Sequence, residues 1–228
     1  MDQQNHWHGL LFSLRTPCFA ARMEIATVKT PSRVVWIAGW AVMAVSATAV
    51  ALFSFRYALP HVPGPAHLAN FTTRRGALCV HAVCAAVALL LGPWQFLAGL
   101  RARRLALHRA LGRCYALAVL VGWAASLPIA LHAQTGPIAS AGFLVLGACW
   151  MTATATAIWK VTQGDIPGHR RWMTRSYALT TAAITLRIYL LAILGFNIPF
   201  VPGYRVIAWA CWIPNLLAAE FLIRRAGR

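Results

Sequence analysis

The segment GHRRWMTRSYALTTAAITLRIYLL, residues 168–191, begins as a cluster of positive charge and becomes an apolar helix of membrane length. It carries Arg187 deep within that helix. A second His-Arg doublet occurs 61 residues earlier, in LHRALGR at 107–113. His108, Arg109, Arg113, His169, Arg170, Arg171 and Arg175 thus form an inner constellation at two helix starts, where unpaired backbone amides add positive potential. A ligand gathered there is anionic: a phosphate group, an acidic lipid head or a carboxylate. The plainer reading is that the arginines anchor helices and set topology. That reading explains the histidines less well, because a neutral imidazole contributes little to topology. Glu220, the only acidic residue in an apolar run, is expected to pair with Arg175 or Arg171.

An outer constellation comprises His81, His132 and Arg187. At the helical rise, His81 lies about 6 Å inside its apolar run and Arg187 about 13 Å inside. His132 stands at the end of its own run, and a long arginine can snorkel toward it. The three are expected to share a polar pocket helped by Tyr189, Thr185 or Gln134. No carboxylate lies at the depth of Arg187. An anionic group such as a haem propionate or a lipid phosphate supplies one reading of its partner, and bracing through backbone carbonyls supplies the other. Asn215 offers only a hydrogen bond.

Histidines at the ends of neighbouring runs also raise a cytochrome reading, in which a haem b takes one imidazole from each of two helices. The pairs are His81 with His132 and His108 with His169. His108 and His132 share one run and are 24 residues apart, about 36 Å along a helix, which weakens a two-haem arrangement. One haem, or a quinone held by histidine and arginine, survives; the rival is a transporter or non-enzymatic membrane-organising protein in which the same residues brace helices or bind anionic lipid. Zinc chemistry wants three or four clustered ligands. Four acidic residues in the chain supply carboxylate catalysis poorly, and no P-loop, Rossmann glycine pattern or HExxH is present. The six cysteines, at 18, 79, 84, 114, 149 and 211, form no CxxC pair and read as small buried hydrophobes.

These residues are carried on elements whose solvent is lipid. Hydrophobic residues make up 60% of the 228 and only 25 are charged, with a mean hydropathy of +0.62. A soluble protein of this size needs a far more polar surface. The formal charge of +17 lies in short clusters between apolar runs, the pattern of membrane topology rather than of a nucleic-acid partner. Six runs reach membrane length: 36–57, 77–99, 111–133, 138–161, 177–196 and 206–223. The expected fold is therefore an all-α integral membrane protein, a six-helix transmembrane bundle over 34–228. With both termini cytoplasmic, 16 positive residues lie inside and four outside, namely Arg56, Arg74, Arg75 and Arg205. Membrane lipids are then obligatory neighbours, and an anionic or hydrophobic small molecule is the candidate ligand. Oligomeric state is not written in the sequence.

Residues 1–33 lack the continuous apolar core of a signal peptide. They read as a cytoplasmic tail lying on the inner surface through Trp7, Leu10, Leu11 and Phe12. Met23 is an alternative start. The longest outer connection contains PHVPGP at 60–65, and the connection near 134–137 is a tight hairpin that makes its two helices antiparallel neighbours. The fourth run carries Gly142, Gly147, Ala148, Ala153, Ala155 and Ala157, which permits close backbone approach. Pro93, Pro128 and Pro214 each free a carbonyl and can kink a helix. The two His-Arg doublets leave open a duplicated two-helix unit.

LHRALGRCY, HRRWMTRSYALTTAAITLR and WIPNLLAAE together resemble a family of predicted bacterial membrane proteins of unknown function, number 2306 in the domain-of-unknown-function series. The resemblance runs from about residue 70 to 225, with the HRRWMTRSYALTTAAITLR segment its most specific part. It assigns His108, Arg109, Gly112 and Arg113 to a first signature and His169, Arg170, Trp172, Met173, Arg175, Tyr177 and Arg187 to a second. Asn215 and Glu220 make a third. The resemblance implies a bacterial multi-span protein and brings no activity with it; the expected location is the bacterial cytoplasmic membrane.

Overall fold

Six long apolar stretches fold into six helices, each long enough to cross a membrane, in a computed structural model that describes residues 33–59 and 69–226. Span 1 is Arg33–Ala58, span 2 Arg75–Gln95, span 3 Leu105–Leu131, span 4 Pro137–Thr162, span 5 Ile166–Gly195 and span 6 Phe200–Ala226. Two short helices, Ala69–Thr72 and Ala98–Arg103, lead into spans 2 and 3. There is no strand among the described residues. The expectations for the tail, Met23, Cys18 and the PHVPGP loop lie outside those residues.

Spans 2 and 3, 3 and 4, and 4 and 5 pack as sequential neighbours; span 1 lies against span 2, and span 6 closes onto spans 4 and 5. Lipid tails are as apolar as leucine, so burial alone does not drive this assembly. Close van der Waals contact between small residues does. Gly142 of span 4 sits so near Ala208 of span 6 that an added Cβ would lie 2.8 Å from the Ala208 carbonyl oxygen. Gly122 admits Cys84, and Gly147 admits the Trp123 ring. Where the helices do not approach, valine, leucine and isoleucine project outward as a lipid-facing coat, among them Val42, Val45, Leu191 and Leu217.

Spans 3, 5 and 6 begin earlier than their hydropathy suggests, so Arg109, Arg170, Arg171 and Arg175 lie on helices rather than in loops. Backbone hydrogen bonds continue through an interface where side chains have already turned polar, and a hydropathy window registers only the second change. Span 5 is interrupted at Thr181, where Thr180 Oγ1 donates to Ser176 O at 3.0 Å and Thr181 Oγ1 to Ala178 O at 2.7 Å. Such back-bonding competes with the helix ladder and bends it. Span 6 breaks between Ala210 and Ile213, just before Pro214, which has no N–H to continue the ladder. The 3–4 hairpin turns on Gly136 at φ 94°, a conformation open mainly to glycine, and Arg205 Nε ties it to span 6 by donating to Thr135 O at 2.7 Å.

The 4–5 connection carries its own cap. Asp165 Oδ1 accepts from Gly168 N at 2.8 Å and Oδ2 pairs with Lys160 Nζ at 3.1 Å. The Gly168 N–H, and after it Lys160, hold this carboxyl below the ordinary carboxylate range. A lowered folded pKa means the contribution is present above the unfolded value and lost as pH falls through the folded one. Asp165→Ala therefore lowers the thermal midpoint at neutral pH, and the gap to wild type closes on acidification. Parallel melts in detergent across that range check this; a gap independent of pH refutes it.

Candidate functional site

Spans 1 to 6 enclose a cavity of about 430 Å³ toward the end of the bundle that carries the 3–4 hairpin. Leucines, alanines, Ile129 and Phe143 make most of its wall. Its polar lining includes His81 from span 2, Arg187 from span 5, Ser54 and Tyr57 near the end of span 1, and Gln134 and Thr135 from the hairpin, besides Asn70, Ser126, Thr180 and Tyr204. The Thr135 side chain is 3% exposed and its hydroxyl has no hydrogen-bond partner, a costly condition inside a protein.

His81 is fixed in one orientation. Its Nδ1 lies 2.9 Å from Gly122 O of span 3. A carbonyl only accepts, so Nδ1 carries a proton, and in the neutral ring Nε2 is then the free acceptor. Arg187 reaches across to span 1: Nη1 donates to Ala183 O at 2.8 Å and Nη2 to Ser54 Oγ at 2.6 Å, with the guanidinium 6.0 Å from the Phe53 ring centroid. Two of its five N–H groups are used in this way, and no carboxylate pairs with it among the described residues. The cavity wall thus offers a hydrogen-bond acceptor and a cationic donor together.

His132 does not join them. It is exposed, and its Nδ1 donates to Pro128 O of its own helix at 2.9 Å. His81 meets span 3 at Gly122, ten residues earlier, about 15 Å away along the axis. Two imidazoles so far apart do not flank one iron, so the expected outer haem pair fails on helix register. Nor does Tyr189 or Thr185 line the cavity. Thr185 Oγ1 instead accepts from Asn215 Nδ2 at 2.9 Å, and the same amide donates to Thr181 Oγ1 at 3.2 Å. Gln134 is the expected helper that does line it.

Two of the lining residues, Trp150 and Thr180, belong to a buried hydroxyl network that the sequence did not lead one to expect. Thr180 donates to Ser176 O and accepts from Trp150 Nε1 at 2.8 Å. Its proton being spent, Tyr115 OH donates to Thr180 Oγ1 at 2.8 Å and accepts from Ser176 Oγ at 2.8 Å. Thr154 donates to Trp150 O at 2.9 Å, and its Oγ1 lies 2.7 Å from Ser176 Oγ. All five residues are buried. Each donor has an acceptor, which makes the network rigid as well as tolerable in a low dielectric. The spacing of Ser176 and Thr180, one helical turn apart, is the signal that could have announced it.

At the other end, the expected seven-residue constellation divides. Glu220 takes Arg175 of its two candidate partners, through Nε–Oε1 at 2.5 Å and Nη2–Oε2 at 3.0 Å, with the guanidinium 4.5 Å from the Trp172 ring centroid. Arg171 lies in the field of Asp165 instead. His169 Nδ1 donates to Ala157 O at 2.8 Å. His108, His169, Arg109 and Arg170 stay within electrostatic range of one another around His108, joined by Arg101 from the 2–3 connection. Arg113 is exposed.

Fold and cavity together define a six-span helical membrane protein with polar groups buried at two levels. Over residues 78–223 the chain matches the family of predicted membrane proteins designated DUF2306, and it belongs to that family. No curated protein and no solved structure matches it.

Proposed function

We propose that the protein binds a membrane-soluble quinone or quinol in the hairpin-end cavity, in a bacterial cytoplasmic membrane with both termini inside. The observation that carries this reading is that His81, with Nδ1 tied to Gly122 O, and the Arg187 guanidinium both line one mostly apolar cavity. A quinol hydroxyl donates to an imidazole Nε2 left free to accept, and a quinone carbonyl accepts from such a guanidinium. The leucines suit the ring and the start of an isoprenoid tail. The charge bias of 16 against four directs the cavity away from the cytoplasm. Of the two cofactors expected from the sequence, haem loses its second outer ligand with His132.

The rival reading, in which Arg187 only braces spans 1 and 5, is favoured by its bonds to Ala183 O and Ser54. One preparation separates them. Protein purified in mild detergent after exposure to decylubiquinone is extracted and its quinone counted, with a dithionite-reduced minus oxidised spectrum from the same sample. Near-stoichiometric quinone is expected, reduced about tenfold in affinity by Arg187→Gln and by His81→Gln. Equal retention by both variants, or none by folded wild type, leaves bracing as the role of Arg187. A cytochrome band lost in His81→Gln replaces quinone with haem.

A further inference from the structure

Span 2 ends at Gln95, and the chain returns through Ala98–Arg103 to the start of span 3. Arg101 folds back over this turn, its Nη1 donating to Gln95 O at 2.8 Å. The Gln95 amide lies against span 3, since a Cβ at Gly112 would stand 3.5 Å from Gln95 Oε1. His108, one turn before Gly112, shares that face. Two polar atoms here are buried without a hydrogen-bond partner: Gln95 Nε2 and His108 Nδ1. Around His108, within electrostatic range, stand Arg101, Arg109, His169 and Arg170.

This gathering is not what topology alone requires. The positive-inside bias counts charges near helix ends and is satisfied by solvent-facing ones, as Arg103 and Arg104 are. Arg101 is half-buried and crowded by the Arg170 charge, and burial first, then that charge, lowers its pKa. Like charges brought together lack a counter-charge here. The carboxylates among the described residues are committed elsewhere, Asp165 to Lys160 and its cap, Glu220 to Arg175.

We infer that this end of the bundle holds a phosphate group, as inorganic phosphate or as an acidic phospholipid headgroup, between Arg101, His108 and Arg170, with Gln95 Nε2 as a neutral donor. Guanidinium groups from two elements grip separate phosphate oxygens, and the unpartnered amide and imidazole gain partners. The site lies at the end of the bundle away from the quinone cavity, and neither proposal depends on the other.

The test uses the full chain in nanodiscs of phosphatidylcholine, of phosphatidylcholine with phosphatidylglycerol, and of phosphatidylcholine with inorganic phosphate added. Thermal midpoint and lipid retention by native mass spectrometry are both read. Stabilisation by phosphatidylglycerol alone identifies a lipid headgroup; stabilisation by inorganic phosphate as well identifies the free ion. Arg101→Gln with Arg170→Gln is expected to weaken binding about a hundredfold, roughly tenfold for each charge-assisted contact. Arg103→Gln with Arg104→Gln removes the same charge from exposed positions and is expected to leave binding intact. Equal losses in the two double variants, or no stabilisation by either phosphate source, overturn the proposal.

Discussion

Glu220→Gln is expected to lower unfolding free energy by about 2–3 kcal/mol. Removing one partner of a fully buried ion pair costs roughly 3–5 kcal/mol, because the other charge is left without compensation. The side chains of Arg175 and Glu220 retain 20% and 30% of their exposure, so solvent screening takes the value below that range. Glutamine can accept one of the two hydrogen bonds but cannot neutralise the guanidinium, which the Trp172 ring continues to hold in place. Replacing both partners with apolar residues, Arg175→Met and Glu220→Leu, removes the charge along with its partner and costs about 1 kcal/mol or less. Equilibrium unfolding in mixed micelles measures both. A double variant less stable than Glu220→Gln contradicts the account.

Gly92→Ala carries the other large effect, about 2–4 kcal/mol. A methyl group at Gly92 would overlap the ring of Tyr177, which packs from span 5 onto span 2 and is 3% exposed. The ring has no room to yield: Phe96 lies at 5.5 Å between centroids, and the hydroxyl donates to Leu89 O at 3.1 Å. Overpacking a dense interior costs roughly 1–3 kcal/mol, and displacing the ring also sacrifices that hydrogen bond, worth about 1 kcal/mol. In a Tyr177→Ala background the same substitution should cost close to nothing, so a double-mutant cycle reads the contact directly. Additive costs would mean that the two residues do not meet.

How much of this was legible in the sequence differs by residue. Glu220 needed a cation, and the candidates on the neighbouring helix start were few, so its partner came down to two. Arg187 was legible as a buried cation without an acid. Its hydroxyl partner Ser54, 133 residues away, was not, because nothing in an apolar run marks which of its small polar residues faces inward. His81 and His132 both stand near the same end of neighbouring apolar runs. They part because His81 turns into the bundle against Gly122 while His132 turns back on its own helix. Ser176, Thr180 and Thr154 leave no mark in a hydropathy average, where a few hydroxyls are outweighed by their neighbours, and only the one-turn spacing of Ser176 and Thr180 hints at a shared face.

The sequence by itself determined the solvent, the number of spans and the clustering of positive charge. Transfer into lipid is close to additive over residues, so a one-dimensional sum over about 20 positions suffices. Only the tertiary structure decided which polar side chains meet, because that depends on the rotation of each helix about its axis. The rotation is set by a few close contacts between distant residues, such as Gly142 against Ala208 and Gly92 beneath Tyr177, whose energies are pairwise and leave no periodic trace along the chain.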